Sequence, residues 1–354
     1  MPSPREKSLD VKLARIAADA GCRDFIIADA KDADMAFGLA APGLKPGGQA
    51  AAGPFRSIDE YRQQIREIVR QGLVDIMLMS ASTSEVLAID ERLFVDTAVT
   101  PAVRMNDTTD IWLASGSGSY ARQPALPFST TTIAQAQYGR VDGPGDGRPP
   151  AVDLGLFSLT LNDDAKLDRD MLTAYSTFRV AAERAGFRHF LEVFFPNAWG
   201  GEAAKTREAA PRDIARFLAD HVVRALAGVP RAGRPVFLKI PYLGPDVTEQ
   251  LAAYDRSLVV GILGGAAGTT HDAFALVAEA KRHGARVALF GRKINAAEDQ
   301  LAFVTLLRAV ADGDMAPADA VKDYHGRLRS LRIAARRSLE EDLQRTSTAA
   351  AYGG

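Results

Sequence analysis

Eight short apolar runs, spaced along most of the 354-residue chain, constrain its fold more than any other feature of the sequence. Each run is rich in Val, Ile, Leu or Phe and is bounded by Gly, Pro or charged residues. Continuous apolar runs of this kind are typical of parallel strands that are buried on both faces. The runs predict strands at about residues 24–29, 74–79, 98–105, 152–161, 188–195, 236–241, 259–264 and 286–291.

The segments between the runs carry helix signals. Ser57-Ile58-Asp59-Glu60 matches a capping box and precedes an apolar stripe that stops at Gly72. Further helices are predicted at 168–186, 209–228, 271–284 and 296–312, with a charged C-terminal helix at 317–344. Alternating strands and helices build right-handed β-α-β units around a parallel sheet. Eight such units favour an α/β fold of the (β/α)8 TIM-barrel type over a doubly wound sheet, which usually has fewer strands.

The predicted organisation is one barrel domain at residues 1–345 and a disordered tail at 346–354. Two insertions are longer than a barrel requires, at 29–55 after the first strand and at 113–150 after the third. Active sites of such barrels lie at the carboxyl ends of the strands, where these loops leave the sheet. We therefore expect the two extended loops to form lids or walls around a substrate.

Composition excludes several classes of protein. The 43 Lys and Arg against 44 Asp and Glu give a net charge of −1, which argues against a binder of nucleic acids or membrane surfaces. The single cysteine, Cys22, excludes an intrachain disulfide and a multi-cysteine zinc site. The five histidines show no metal-ligand spacing, so neither a metal nor another cofactor is expected. With no signal peptide or membrane span in the pattern, a cytoplasmic location is the default expectation.

Lys239 is the strongest candidate for catalysis. It lies between Leu238 and Ile240 in the predicted sixth strand. Because successive side chains on a strand point to opposite faces, its ammonium should enter the barrel lumen. A buried ammonium is unfavourable unless it is paired or neutral, and the neutral amine is the nucleophile that forms a Schiff base with a carbonyl. The alternative is a structural ion pair with a lumen carboxylate such as Glu192 on the fifth strand.

Small residues after the last two strands indicate a phosphate site. Gly264 and Gly265 follow the seventh strand, and Gly291 and Arg292 follow the eighth. Glycines let backbone N–H groups approach an anion, and an arginine can bind phosphate through two hydrogen bonds. Barrels of this type commonly bind phosphate there, although turns alone would also require glycine. Because the whole chain is nearly neutral, affinity for anions must come from such local placement, at these glycines, Arg292 and Lys293.

Three segments resemble the class I, Schiff-base aldolases of the DhnA-like, archaeal-type fructose-bisphosphate aldolase group: LKIPYLG, GILGGAAG and LFGRKINAAEDQLAFVTLLRAVADG. LacD-type tagatose-bisphosphate aldolases are more distantly similar. Val103-Arg104-Met105-Asn106 resembles the V-K-L-N of the family's third strand, and Phe194-Phe195-Pro196-Asn197 resembles its fifth strand more loosely. The resemblance covers about residues 24–325, and its specific part is the last third.

The resemblance implies a role for each matching residue. Lys239 would form the imine with a ketose carbonyl, and Asp29 would position or deprotonate a substrate hydroxyl. Glu192 matches the strand-five glutamate of LacD-type enzymes. Arg104 and Asn106 would bind substrate, while the glycines and the arginine after the last two strands would hold its phosphate.

The fourth strand departs from the family. Where the family has a catalytic tyrosine or lysine, this chain has Ser158, Thr160 or Asn162. Tyr242 is the candidate general acid in its place, with Tyr138 as the alternative. The first strand also departs, with charged residues that could rebuild part of the site: Lys31, Asp32 and Asp34.

The sequence thus predicts an aldolase-type carbon–carbon lyase that cleaves or forms a phosphorylated ketose through a lysine Schiff base. One alternative is a phosphosugar isomerase or epimerase with Lys239 as acid and Glu192 as base. Another is a non-catalytic phosphosugar-binding protein on the same barrel. The expected partner is a small phosphorylated sugar. Since class I aldolases of this kind tend to be oligomers, a homo-oligomer is also expected.

Overall fold

The computed structural model of the chain describes residues 6–45, 55–110, 119–120, 123–144, 147–197, 211–264 and 268–346. The strands are β1 (Ile26–Lys31), β2 (Ile76–Met79), β3 (Thr100–Arg104), β4 (Asn106–Thr108), β5 (Pro127–Ser129), β6 (Leu154–Thr160), β7 (Arg188–Phe194), β8 (Leu238–Lys239), β9 (Gly261–Leu263) and β10 (Val287–Phe290). Eight of them form a parallel sheet in the order β8-β7-β6-β3-β2-β1-β10-β9. The other two, β4 and β5, pair antiparallel as a hairpin in the insertion after β3.

The sheet closes into a barrel between β8 and β9. The Ile240 N–H donates to the Gly261 carbonyl over 3.0 Å, and the Leu263 N–H donates to the Ile240 carbonyl over 2.9 Å. With helices between successive strands, this is a (β/α)8 TIM barrel, and the predicted fold class is confirmed. Every barrel strand overlaps one of the eight apolar runs found in the sequence.

Helices surround the barrel and occupy its insertions. They are α1 (Ser8–Ala18), α2 (Asp34–Phe37), α3 (Ile58–Gln71), α4 (Ala81–Ser84), α5 (Ile133–Tyr138), α6 (Ala165–Arg184), α7 (Pro211–Ala227), α8 (Pro245–Tyr254), α9 (Thr270–Arg282), α10 (Arg292–Ala296), α11 (Gln300–Asp312), α12 (Pro317–Ser330) and α13 (Leu339–Asp342). A π-helix at Glu85–Asp90 continues α4. In the part of the chain described here, no helix has the length and apolarity that crossing a bilayer requires.

The start of α3 shows how local sequence fixes an element. Ser57 accepts a hydrogen bond from the Glu60 N–H, and the Glu60 carboxylate accepts one from the Ser57 N–H. This reciprocal pair is the predicted capping box and satisfies two donors that a helix N-terminus leaves without partners. The helix ends at Gly72, whose φ of 70° lies in the left-handed region that favours glycine.

The apolar core has two layers. Side chains on one face of the strands, such as Ile27, Val193 and Leu238, pack in the layer that the surrounding helices share. Side chains on the other face, such as Leu156 and Phe237, fill the lumen. Helix α1, which sequence analysis missed, contributes Leu9 to the lumen layer, and its Leu13 and Ile16 pack against the same layer. The amino end of the barrel is thereby closed, and access to the lumen is left to the carboxyl end.

The C-terminal segment differs from the prediction of one helix at 317–344. Helix α12 ends at Ser330, and α13 starts only at Leu339. Arg332 has a φ of 57°, a left-handed conformation that a continuous helix does not allow. Thr346, the first residue of the predicted tail, is anchored because its N–H donates to Asp272 over 2.9 Å. The rest of that tail, 347–354, lies outside the described residues.

Candidate active site

Three neighbouring strands place polar side chains at one level of the lumen. Ser158 on β6 pairs in register with Glu192 on β7, and Glu192 pairs with Lys239 on β8. The residues beside them, among them Leu191 and Leu238, belong to the helix-facing layer. Since side chains alternate along a strand, Glu192 and Lys239 face the lumen, near the carboxyl ends of their strands.

Lys239 and Glu192 form a buried ion pair between Nζ and Oε1. The Lys239 side chain is 9% exposed and the Glu192 side chain 1% exposed. A pair of this kind is stable only as a pair, because removing one partner leaves an uncompensated buried charge. The other carboxylate oxygen of Glu192 accepts a hydrogen bond from the Ser158 hydroxyl over 2.7 Å. Glu192 is therefore held in place from the side opposite to the lysine.

Arg104, at the end of β3, completes this cluster. Its guanidinium donates to Asp32 over 2.8 Å, to Asp107 over 3.0 Å and to the Ser158 hydroxyl over 3.1 Å. It also lies 3.6 Å from the Glu192 carboxylate. Burial lowers the pKa of Arg104, but these carboxylates outweigh burial and raise it above its ordinary value. With these donors engaged by protein groups, Arg104 acts as a support for Glu192.

Asn106 is likewise engaged by the protein. Its amide nitrogen donates to the Ser158 carbonyl over 2.9 Å, and its amide oxygen accepts from the Ser158 N–H over 2.6 Å. These two bonds fasten the start of the β4–β5 hairpin to β6. The structure thus gives Asn106 a visible role in holding Ser158 beside Glu192, whereas the resemblance implied contact with substrate.

Asp29 does not join the cluster. On β1, Ala28 and Ala30 face the lumen, so Asp29 and Lys31 point toward the helices. Asp29 is fully buried, and its carboxylate lies 3.3 Å from Lys31 Nζ. Burial raises the pKa of Asp29 to about 6, although Lys31 opposes the shift. The structure thus places Asp29 outside the lumen cluster, and its action on a substrate hydroxyl stays a prediction.

Tyr242 also points away from Lys239. Its ring packs in the helix-facing apolar layer, and its hydroxyl lies close to Glu279 on α9. Burial and the Glu279 carboxylate together raise the pKa of Tyr242 above its ordinary value. The structure thus places Tyr242 outside the lumen cluster, and its role as general acid stays a prediction.

The glycines after β9 and β10 have packing reasons of their own. A Cβ on Gly264 would lie 2.2 Å from the Phe290 ring, and one on Gly291 would lie 2.5 Å from the Ala30 carbonyl oxygen. The Gly264 N–H already donates to the Leu289 carbonyl over 2.7 Å. Gly265 lies outside the described residues. Close packing thus accounts for Gly264 and Gly291, and phosphate binding there stays a prediction.

Arg292 directly follows Gly291 at the predicted phosphate position. It opens α10, and its guanidinium lies 5.6 Å from the centre of the Phe37 ring on α2. This contact joins the insertion after β1 to the turn after β10. The mouth of the lumen also has an apolar patch, in which Phe194 and Leu263 pack with Ala36 of α2.

Sequence analysis missed two members of the cluster. Asp107 was not considered, because its contact with Arg104 depends on how the hairpin folds back after β3. Ser158 was noted only as a departure from the family. The in-register alignment of β6 and β7 could have paired it with Glu192, since both precede a strand end by a similar number of residues. Among the described residues, no group of three His, Cys, Asp or Glu side chains could hold a metal ion.

Comparisons with solved structures find similar barrels. A fructose-bisphosphate aldolase from Slackia heliotrinireducens aligns with a TM-score of 0.60 and 16% identity, covering 94% of this chain and 93% of that one. An archaeal fructose-1,6-bisphosphate aldolase, solved with its catalytic lysine bound to a carbinolamine intermediate, aligns at 0.57 and 16% identity. That match covers 86% of this chain and 100% of the other. The Cgl0159 protein of Corynebacterium glutamicum aligns at 0.55 and 16% identity, covering 88% and 100%.

The sequence itself gives no match of this kind. No profile of a protein family matches the chain, and no curated protein matches its sequence. At 16% identity the structural matches speak for the fold alone. This chain therefore shares the (β/α)8 barrel of the fructose-bisphosphate aldolases.

Proposed function

We propose that the protein is an aldolase-type lyase that acts on a phosphorylated ketose through a Schiff base on Lys239. The observation that carries the proposal is the buried pairing of Lys239 with Glu192 at the carboxyl end of the lumen. Lys239 has a carboxylate beside it that can take its proton, and the apolar layer with Leu9 closes the amino end of the lumen. The shared barrel with fructose-bisphosphate aldolases supports the choice of substrate class.

The two side chains divide the work of imine formation. Transfer of a proton from the Lys239 ammonium to Glu192 leaves a neutral amine, whose lone pair attacks the ketose carbonyl carbon to give a carbinolamine. Glu192 returns the proton to the carbinolamine hydroxyl, which leaves as water and produces an iminium ion. Ser158 and Arg104 hold the Glu192 carboxylate in place through both steps.

Cleavage then uses the iminium as an electron sink. A base removes the proton of the hydroxyl two carbons from the iminium carbon, the carbon–carbon bond breaks, and an aldehyde leaves. The bonding electrons move onto the former ketose to give an enamine, which is protonated on carbon and hydrolysed to release the second product. Glu192 is again a carboxylate once its proton has left with the water, and we assign it as this base because it is paired with Lys239, which carries the iminium.

Borohydride reduction tests the imine. The protein is incubated with dihydroxyacetone phosphate or fructose 1,6-bisphosphate, reduced, digested and mapped by mass spectrometry. We expect a stable adduct on the peptide that contains Lys239, and none in Lys239→Met. An adduct on another lysine, or no adduct with any phosphorylated ketose or aldose, would contradict the proposal.

One observation favours a second candidate, a phosphosugar isomerase or epimerase. Lys239 and Glu192 already form an acid–base pair, and β6 has Ser158, Thr160 or Asn162 where the resemblance implies a catalytic tyrosine or lysine. Such an enzyme would exchange a carbon-bound proton of the substrate with solvent and form no covalent adduct. Deuterium incorporation from heavy water without a borohydride adduct would select this candidate.

A further inference from the structure

A cavity of about 290 Å³ lies outside the barrel lumen. It is enclosed by α10, by the start of α9 and by the C-terminal helices α12 and α13. The residues of its wall that matter here are Gly268, Thr270, Lys293, Glu298, Arg337 and Asp342. The cavity thus lies where the turn after β9 meets the C-terminal segment of the chain.

Lys293 is buried in the wall of this cavity. It is 7% exposed, and its ammonium donates one hydrogen bond, to the Gly268 carbonyl over 2.9 Å. An ammonium has three donors, and the other two have no hydrogen-bond partner among the described residues. Burial lowers the pKa of Lys293 to about 8, and an anion placed against it would favour the charged form.

The two carboxylates in the wall already have partners. Asp342 accepts from the Thr270 N–H over 2.7 Å and lies 3.1 Å from His325. Glu298 accepts from the Tyr324 hydroxyl over 2.9 Å and from the Arg336 backbone N–H over 2.8 Å. The acidic groups are therefore tied to the protein. Both cations in the wall have donors without a hydrogen-bond partner among the described residues: Lys293 donates only to Gly268, and Arg337 makes no hydrogen bond there.

We infer that this cavity binds a small phosphate-bearing anion between Lys293 and Arg337. Phosphate suits a site with a lysine and an arginine, because the ammonium supplies a point charge and the guanidinium can donate two parallel hydrogen bonds. The volume fits a small ligand, either inorganic phosphate or a phosphate monoester. We assign this site to binding and not to imine formation, because Lys293 lines a cavity outside the lumen that holds Lys239.

Helix α10 connects this cavity to the barrel mouth. Arg292 and Lys293 are consecutive, and their side chains leave the helix about 100° apart. Arg292 reaches Phe37 at the mouth, whereas Lys293 reaches Gly268 beside the cavity. An anion in the cavity would fix α10 and with it Arg292. This coupling, unlike the binding itself, rests on the proposed role of Arg292 in holding the substrate phosphate.

Calorimetric titration with inorganic phosphate tests the site. In Lys239→Met protein, which cannot form an imine, we expect two phosphate sites. Arg337→Glu, a change at an exposed position, should weaken one site at least tenfold, and Lys293→Met should weaken the same site. Arg292→Ala should weaken only the other. Competition by glycerol phosphate would identify a monoester as a ligand, and its failure would leave inorganic phosphate as the ligand.

The variants separate this inference from the proposed function. If phosphate binds once, and Arg337→Glu removes that binding, the cavity site stands and the phosphate site at Arg292 fails. If phosphate binding is unaffected by Arg337→Glu and Lys293→Met, the inference is overturned, whatever Arg292→Ala does. Should Lys293→Met not fold, Arg337→Glu decides the matter alone.

Discussion

Within the described residues, two lysine–carboxylate pairs with both side chains buried lie on opposite faces of the barrel strands. Lys239 and Glu192 face the lumen, and the Lys239 side chain is 9% exposed. Lys31 and Asp29 face the helices, and both side chains are 0% exposed. The chemical groups are the same. Because side chains alternate between the two faces of a strand, the position of each residue along its strand determines which pair a substrate in the lumen can reach.

The partners of the two lysines also differ. Besides its ion pair with Asp29, Lys31 donates hydrogen bonds to Asn295 on α10 and to Gln300 on α11, the latter over 2.9 Å. Three oxygen atoms from three elements thus surround the Lys31 ammonium. Lys239 has an ion pair with Glu192 alone among the described residues. The contacts of Lys31 hold α10 and α11 on the barrel. Lys239 has one such partner and lies near the open end of the lumen, so it is available for chemistry.

Replacing the two lysines in turn tests this contrast most strongly. We expect Lys239→Met to lower the rate of ketose cleavage on the order of 10⁴-fold or more, as the loss of a covalent nucleophile does. Lys31→Met, assayed where it is folded, should stay within a few-fold of the unaltered protein. Steady-state kinetics of both variants give the comparison. Equal losses would mean that the buried pair behind β1 takes part in the reaction.

Glu192→Gln keeps the shape of the lumen pair and removes its ability to move a proton. We expect kcat to fall on the order of 10³-fold, since a positioned acid or base contributes that much to a reaction. Ser158→Ala is the matched control, because it removes one hydrogen bond to Glu192 and leaves the carboxylate. The control should fall by about tenfold. A Glu192→Gln variant as active as the control would assign the proton transfers to another group.

The free energy of unfolding should depend more on the helix-facing Lys31 than on Lys239. Lys31→Met leaves Asp29 buried without its cation, so we expect the free energy of unfolding at pH 7 to fall by about 3–5 kcal/mol. Adding Asp29→Asn should restore part of that loss, because the uncompensated charge is then removed. Urea denaturation of the single and double variants measures both values. A double variant less stable than Lys31→Met would show that Asp29 stabilises the fold without Lys31.

The helix-facing pair should also leave a mark on the pH dependence of stability. Burial raises the pKa of Asp29 from 3.8 to about 6, so between these values the folded protein holds a proton that the unfolded chain releases. The contribution of Asp29 is therefore fully present below about pH 4 and is lost as the pH rises through 6, by up to about 3 kcal/mol. Asp29→Asn should flatten this decline in denaturation curves measured from pH 4 to 7. An unchanged slope would exclude Asp29 as its source.

The fold could be predicted because it depends on repeated local patterns. Eight apolar runs with helix signals between them leave few arrangements other than a barrel. Lys239 could be placed in the lumen because it is flanked by two large aliphatic side chains, Leu238 and Ile240, which suit the layer under the helices. Side-chain size on both sides of a residue thus indicated its face.

The size of the neighbouring side chains gives no such indication for Asp29. Its neighbours Ala28 and Ala30 are small enough to fit the lumen, so their size gives no sign of which face they occupy. The support for Glu192 could not be predicted either. Asp32 follows β1 and Asp107 lies in β4, and their contacts with Arg104 depend on the closed barrel and on how the hairpin folds, not on local sequence.

Helix α1 has a consequence for how such a protein can diversify. Because Leu9 and the apolar lumen residues seal the amino end, the parts that keep the barrel folded are separated from the polar groups at the other end. Loops at the carboxyl end can exchange residues and acquire new substrates while the sealed end conserves the scaffold.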